Sequence, residues 1–430
     1  MPGPARRGLL ATLGPGLMWA AAAIGVSHLV QSTRAGALGG LSLAGIILLA
    51  LVVKYPFFDY GPRFAAGTGR SLVEGYREIG RWAVWLYLLI TVSTAVIVQT
   101  AVVLFTSSLF RHVFDLDWSI WVVAAAVNIV CAGLVLAGRF QVFDKVVKAI
   151  LVVLAISTLT AAAVAAPHLD LDSFSLLPRT ADGAFVSFAF LLALAGWMPS
   201  PIDLSVWSSL WTLAKDRELG YRSEFRHVMA DFRIGYLGAA VTAFAFLILG
   251  TVTMYQTGAA FSPQGTTFAG QVVDLYAATL GDWTLPIVYA AVLSTMFSTS
   301  LTVIEGYPRA LERTVAVLRS STLEEVNGLE ERAGRSGRPG TVYVCVLMVL
   351  GAATVLVHAT FLGAMTTLVD VATIVAFLTA PALAYLNLRA VTLPSFPAEL
   401  RPGRPLLWWS YAGLALLTTV AVVFLISRLV

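Results

Sequence analysis

Two short runs hold the side chains best suited to bind something within an otherwise apolar chain. The first is Gly25-Val26-Ser27-His28, followed closely by Gln31, Ser32 and Arg34. The second is Met198-Pro199-Ser200-Pro201, followed by Asp203. A thioether at Met198 would suit a soft metal and an imidazole at His28 a transition metal, neither suiting magnesium, with the Asp203 carboxylate as a further ligand. Arg34, with neutral donors at Ser27, His28, Gln31 and Ser200, would instead suit a small anion. Plainer roles compete with both. Asp203 can cap a helix N-terminus, and Arg34 can pair with Asp203 or Asp370. Asp370 lies amid Thr366, Thr367 and Thr373. Ser294, Ser298 and Thr302 recur at four-residue spacing and lead to Glu305. Such hydroxyls either bond their own helix carbonyls or line an ion site. Enzyme chemistry finds little support. Ser27 and His28 adjoin, but neighbours rarely point at each other as nucleophile and base. No HExxH or GxSxG occurs. Cys131 and Cys345 sit in apolar runs without metal-ligand spacing and read as packing residues.

The elements that must position these groups are membrane helices. Of 430 residues, 58% are hydrophobic and 12% charged, against about a quarter charged in soluble domains. Stretches such as Arg7 to Arg34, Arg81 to Arg111 and Arg233 to Asp274 contain no Lys, Arg, Asp or Glu between their ends. Each is long enough to cross a hydrocarbon core, which takes about 20 residues. This excludes a soluble enzyme, a nucleic-acid binder and a disordered scaffold. The expected fold is an all-α polytopic membrane protein with eleven spans, near 9–37, 41–66, 82–108, 118–138, 145–166, 184–213, 233–256, 281–304, 341–358, 363–388 and 405–428. Residues 259–280 read as an outer loop with a short helix. Residues 305–340 read as a charged cytoplasmic helix ending in the flexible GRSGRPG stretch, with solvated charges at Leu323-Glu324-Glu325 and Glu330-Glu331-Arg332.

Charge sets the expected orientation. Alternate connections and their span ends hold 23 of the 28 Lys and Arg, including Arg6, Arg7, Arg139, Lys145, Lys148, Arg332, Arg335 and Arg338. That places the N-terminus inside and the C-terminus outside, which requires an odd number of spans. Lys54, Asp59 and Arg63, beside Pro56 and Pro62, are expected to form an ion network at the cytoplasmic end of span 2.

Both polar runs interrupt a span. Pro199 and Pro201 each remove a backbone hydrogen bond and clash with the preceding turn. Unwound backbone at membrane depth must be buried in protein or line a wet cavity. The breaks fall in the first and sixth spans. Interruptions at matching positions of two halves point to a secondary transporter with inverted repeats and a midplane site. The expected units are residues 1–166, 184–388 and 405–430: two five-span repeats and an eleventh span.

These features resemble the Nramp (natural resistance-associated macrophage protein) family of proton-coupled divalent-metal transporters, which have the LeuT-type fold. The resemblance rests on the span number, the opening Gly14-Pro15-Gly16, the broken span 1, and Met198-Pro199 at the break of span 6. It aligns Gly25 to His28 with the family's Asp-Pro-Gly-Asn motif, so Gly25 stands where that family keeps its metal-binding aspartate and His28 where it keeps asparagine. The family's Met-Pro-His-Asn becomes Met198-Pro199-Ser200-Pro201. The methionine is retained, and Ser200 replaces the histidine linked to proton handling. The acidic residues that the family's proton route uses in span 3 have no counterpart here. In the wider LeuT-type fold, a place similar to that of Ser294 and Ser298 faces the span 1 break and holds sodium.

Two functions follow as expectations. One is divalent-metal transport with a rebuilt site using His28, Met198 and Asp203. The other is transport of a small anion such as bicarbonate, or of a small organic solute, by Gly25, Ser27, His28, Gln31, Met198, Ser200 and Asp203, with Arg34 or Asp370 as an anion or ion-pair partner. Either proceeds by alternating access in a lipid bilayer, without a cofactor or nucleic acid. Sodium, held near Ser294 and Ser298, or a proton would be the coupling ion.

Overall fold

The computed structural model describes residues 12–137, 140–170, 175, 177–180, 182–321, 340–360 and 364–429, with the side chains of 140–151 outside that description. The side chains expected to carry charge at Arg6, Arg7, Arg139, Lys145, Lys148, Arg332, Arg335 and Arg338 lie outside it too. So do the clusters at 323–325 and 330–332 and most of the GRSGRPG stretch. Fifteen α-helices lie among the described residues. They are α1 (Pro15–Ala23), α2 (Thr33–Gly39), α3 (Ala44–Thr68), α4 (Leu72–Ile79), α5 (Arg81–Val113), α6 (Ile120–Leu136), α7 (Phe140–Ala165), α8 (Phe188–Trp197), α9 (Leu204–Leu219), α10 (Phe225–Gly250), α11 (Gly265–Leu280), α12 (Leu285–Arg319), α13 (Thr341–Thr360), α14 (Met365–Val391) and α15 (Arg404–Ser427). Strand pairing among the described residues is one isolated bridge, Arg179 with Phe185.

Seven helical stretches among the described residues are long and apolar enough to cross a membrane. Ile120–Leu136, Val152–His168 and Phe188–Trp197 are shorter apolar helices. Their outward faces carry exposed Leu89, Ile129, Leu237, Val349 and Leu356, while Trp82, Trp118, Trp283 and Trp408 stand exposed at or near helix ends. Apolar flanks with aromatic ends suit a bilayer. The chain is an integral, multi-pass membrane protein.

The first and sixth spans are broken, each for a local reason. Pro15 opens α1, where its missing N–H costs nothing. Asp231 of α10 accepts from the backbone N–H groups of Gly14 at 3.3 Å and Gly16 at 2.6 Å, satisfying donors that a helix start leaves free. The α-helix ends at Ala23, and the chain re-enters through a wide π turn, Ser27–Ser32, before α2. In span 6, α8 ends at Trp197, and Met198 to Asp203 are non-α up to α9.

Two regions differ from the sequence reading. Residues 72–79 form α4, started by a reciprocal capping box between Ser71 and Glu74. The 305–321 part of the expected insert is a direct continuation of α12 up to Arg319, not a separate helix. The expected short helix within 259–280 is α11, Gly265–Leu280.

Candidate functional site

At the first break, Ser27 and His28 do contact each other, contrary to the expectation from their adjacency. Ser27 Oγ lies 2.7 Å from His28 Nδ1, and His28 Nε2 lies 2.9 Å from the Ala239 carbonyl. The π turn places the two side chains on the same side. A carbonyl only accepts, so in a neutral ring Nε2–H donates to Ala239, and the single Ser27 hydroxyl proton is shared between His28 Nδ1 and the Ala23 carbonyl. His28 is fully buried, and both its nitrogens are occupied within the protein. Gly25 is hemmed in by α12. A Cβ built there would stand 2.6 Å from both Cγ2 and Oγ1 of Thr299, so an acidic side chain has no room unless Thr299 moves.

At the second break, the ends of α8 and the unwound link expose carbonyls that need donors. Lys54 supplies them from the middle of α3. Its ammonium donates to the carbonyls of Ala195 at 2.6 Å, Gly196 at 2.7 Å and Ser200 at 3.3 Å. An ammonium has three protons, and all three are used. This corrects the expected network. Arg63 pairs with Asp59 at 2.5 Å one turn away on α3, but Lys54 is five residues from Asp59, so it points to another face of the helix. Gly196 permits this packing, because a Cβ there would collide with the Thr373 carbonyl of α14.

Between the breaks lies a cavity of about 30 Å³, enough for about one water. Ser27, Trp197, Ser200, Asp203, Trp207 and Tyr307 are among its lining residues. Asp203 precedes α9 but makes no side-chain capping bond. Its Oδ2 accepts from Tyr307 Oη at 3.4 Å, while its buried Oδ1 has no hydrogen-bond partner among the described residues. The indole N–H groups of Trp197 and Trp207 are likewise without one. Lys54 and Asp203 are close enough to interact electrostatically. Gly25, His28, Gln31 and Met198 do not line this space. Met198 is fully buried at the end of α8.

Arg34 and Gln31 belong to a second cluster. Arg34 is held by both oxygens of Asp370, at 2.6 and 3.1 Å. It also donates to Gln31 Oε1 at 2.9 Å. Gln31 Nε2 reaches Asp370 Oδ1 at 3.4 Å and Thr373 Oγ1 at 3.5 Å. The guanidinium stands 5.1 and 5.0 Å from the ring centres of Phe190 and Phe261, within cation–π range. Arg34, Phe190 and Asp370 border a pocket of about 360 Å³. The α2 segment is thereby tied to α14. Toward the other end of the helices, Glu74 pairs with Arg313, and Glu305 with Arg309. Trp211 Nε1 donates to Glu305 at 3.2 Å.

On α12, the face toward the first break carries Thr299, which donates to the Ala21 carbonyl at 3.2 Å. Thr295 lies one turn earlier on the same face, and its buried hydroxyl has no partner among the described residues. Ser294 and Ser298 are each one residue, about 100°, away from that face. Thr302 donates to its own helix, to the Thr299 carbonyl at 2.9 Å. No group of three or more His, Cys, Asp or Glu able to hold a metal occurs among the described residues.

Sequence reasoning missed Lys54, Trp197, Trp207, Tyr307 and Thr299 as members of these clusters. One signal was available. A lone lysine in mid-span needs acceptors, and a proline-broken helix is where free carbonyls are found.

Comparison with known proteins places the chain. Residues 16–427 match the Nramp family, described as natural resistance-associated macrophage protein-like. An uncharacterised protein of Pasteurella multocida is 30% identical over 420 residues, 97% of this chain and 92% of that protein. A divalent metal cation transporter of Xanthomonas campestris is 24% identical over 304 residues, 68% of this chain and 64% of that one. The manganese transporter of Eremococcus coleocola, crystallised with an aromatic bis-isothiourea compound, shares the fold. Its TM-score is 0.61 at 14% identity, covering 98% of this chain and 88% of that one.

Proposed function

The chain belongs to the Nramp family of membrane transporters, and from that premise we propose that it is a secondary carrier moving a small polar solute between its two broken helices by alternating access. Asp203 anchors the solute, the Trp197 and Trp207 indoles donate to it, and Ser27 and Ser200 complete the contact. The carrying observation is the set of unpaired groups at the cavity. One buried carboxylate oxygen and two indole N–H groups of residues that line it lack partners among the described residues. Buried polar groups without partners are costly, so this set calls for a solute that donates at one end and accepts at the other. Bicarbonate, with its hydroxyl toward Asp203, and small carboxylic acids or amides have that character, and the cavity, which holds about one water as it stands, must widen to admit them.

A divalent metal fits these side chains less well. His28 has no free nitrogen, Met198 does not line the cavity, and the Lys54 ammonium already sits on the carbonyls of the second break. Metal transport, with Asp203 and Met198 as ligands, is the second reading. It draws on the Xanthomonas relative and on the fold shared with a manganese transporter.

The expected two-repeat organisation, eleven spans, cytoplasmic N-terminus and outer C-terminus belong to the same proposal. The Arg34–Asp370 pair then closes the outer side. A proton or sodium is the coupling ion, and Thr295 and Thr299 are better placed beside the first break than Ser294 and Ser298. The test is uptake by proteoliposomes of labelled bicarbonate, small carboxylates, manganese and magnesium, each with and without sodium. The proposal predicts saturable uptake of a non-metal solute. Manganese uptake with none of the other solutes carried would overturn it in favour of the second reading.

A further inference from the structure

A second pocket, of about 260 Å³, lies away from both breaks where α5, α11, α13 and α14 meet. Its lining includes Ser108 and Arg111 of α5, Gln264, Gly265 and Thr266 at the start of α11, and His358 near the end of α13. Three features converge on it. The sixteen-residue helix α11 begins there with no side-chain cap, so its first N–H groups lack helical acceptors and face the space with the positive end of the helix dipole. Arg111 spends only Nε on the protein, donating to the Leu116 carbonyl at 3.3 Å. It is in none of the ion pairs among the described residues. His358 is 6% exposed. Its Nδ1 lies 2.7 Å from the Thr354 carbonyl and is therefore the donor. The Thr100 backbone carbonyl also reaches the ring, but Nε2 makes no well-aligned hydrogen bond among the described residues. In the neutral ring that nitrogen is an acceptor.

We infer that this pocket binds a small oxyanion that also carries a hydroxyl, of the hydrogencarbonate or hydrogenphosphate class. The oxyanion accepts from the Arg111 guanidinium and the α11 N–H groups, and the hydroxyl donates to His358 Nε2. The shape of the site follows from its neighbours. Gly265 brings the helix start against Ser108 and Met365, because a Cβ there would meet the Ser108 hydroxyl and stand 3.3 Å from the Met365 sulfur. A bound anion would thus join four elements that otherwise meet through few polar contacts. The inference is independent of which solute crosses the membrane.

The experiment uses the full-length protein in nanodiscs of neutral phosphatidylcholine, at fixed pH and ionic strength. Thermal unfolding is followed while hydrogencarbonate, hydrogenphosphate, nitrate or sulfate is titrated in. Hydrogencarbonate and nitrate share shape and charge, but only the first has a hydroxyl. The expected result is a saturable rise in Tm with hydrogencarbonate or hydrogenphosphate, and a midpoint at least tenfold weaker for nitrate or sulfate. Arg111→Gln should weaken the midpoint at least tenfold and His358→Gln several-fold, each read against its own unliganded Tm. The titrations are repeated in an Asp203→Asn background, where bicarbonate binding between the breaks is removed; a hydrogenphosphate shift that persists there and is lost on adding Arg111→Gln separates this site from the cavity between the breaks. Parallel nanodiscs containing phosphatidylglycerol test a lipid headgroup as the source of the anion. The inference is overturned if no anion gives a saturable shift, if nitrate matches hydrogencarbonate, if Asp203→Asn abolishes the shift while Arg111→Gln does not, or if phosphatidylglycerol alone stabilises.

Discussion

Replacing Lys54 by methionine tests the arrangement at the second break most sharply. Methionine keeps much of the aliphatic stem, so little packing volume is lost. It removes three hydrogen bonds to Ala195, Gly196 and Ser200 and the positive charge facing Asp203. A hydrogen bond to a charged group contributes about 1.5–3 kcal/mol, but the three share one ammonium and cannot be summed. Lys54 and Asp203 interact electrostatically without forming an ion pair, so the expected loss is that of buried carbonyls left without donors, about 1–3 kcal/mol. Part of it reflects the lost attraction to Asp203. Asp203→Asn should therefore recover part of the loss, with a coupling of more than about 0.5 kcal/mol in a double-mutant cycle. The assay is reversible unfolding in mixed micelles titrated with sodium dodecyl sulfate, followed by tryptophan fluorescence in the four variants. Losses that add within about 0.5 kcal/mol would mean that Lys54 and Asp203 act independently. Lys54→Met at wild-type stability would refute the bonding described here.

Three other substitutions probe the remaining clusters. Trp207→Phe keeps the ring and deletes one indole donor, so the solute that is carried should show an apparent affinity weaker by roughly 5- to 10-fold, the effect of about 1–1.5 kcal/mol; unchanged affinity would remove Trp207 from the site. Asp370→Asn should loosen the tie between α2 and α14, and a Ser200→Cys probe in a Cys345→Ser background should then react several-fold faster with a membrane-impermeant thiol reagent. No acceleration would deny the Arg34–Asp370 pair a gating role. Gly25→Asp restores the residue that the family resemblance implies at this position, but it must displace Thr299. It should lower stability by about 1–3 kcal/mol without creating manganese binding in calorimetry, and a new manganese site would show that the pocket adapts.

The features set by backbone chemistry were readable from the chain itself. Pro199 and Pro201 cannot continue a helix, and Gly25 followed by polar residues in an apolar run marks the other interruption. The charge-free stretches Arg81 to Arg111 and Arg233 to Asp274 coincide with long apolar helices, because hydrocarbon leaves the backbone few other choices. Side-chain direction was less readable. Ser294 and Thr295 differ by one position, yet that rotates a side chain by about 100°, and only packing against α1 decides which face meets the break. Lys54 was grouped with Asp59 and Arg63 by nearness in sequence, whereas its partners lie more than 140 residues away on α8 and its unwound end. The α4 helix had a local signal in Ser71 and Glu74, a serine three residues before a glutamate, but its charged loop surroundings hid it. Trp197 and Trp207 looked like ordinary apolar residues, and their unpaired N–H groups became visible only once the cavity was formed.

The central claim is that the two breaks enclose a site for a small polar solute anchored by Asp203. The most direct measurement is proteoliposome uptake by the wild type and by Asp203→Asn, with labelled bicarbonate and manganese assayed side by side. The account predicts saturable bicarbonate uptake that falls at least tenfold in Asp203→Asn, with manganese neither carried nor inhibitory. Manganese uptake that disappears with Asp203→Asn, in a protein that carries no bicarbonate, would contradict it.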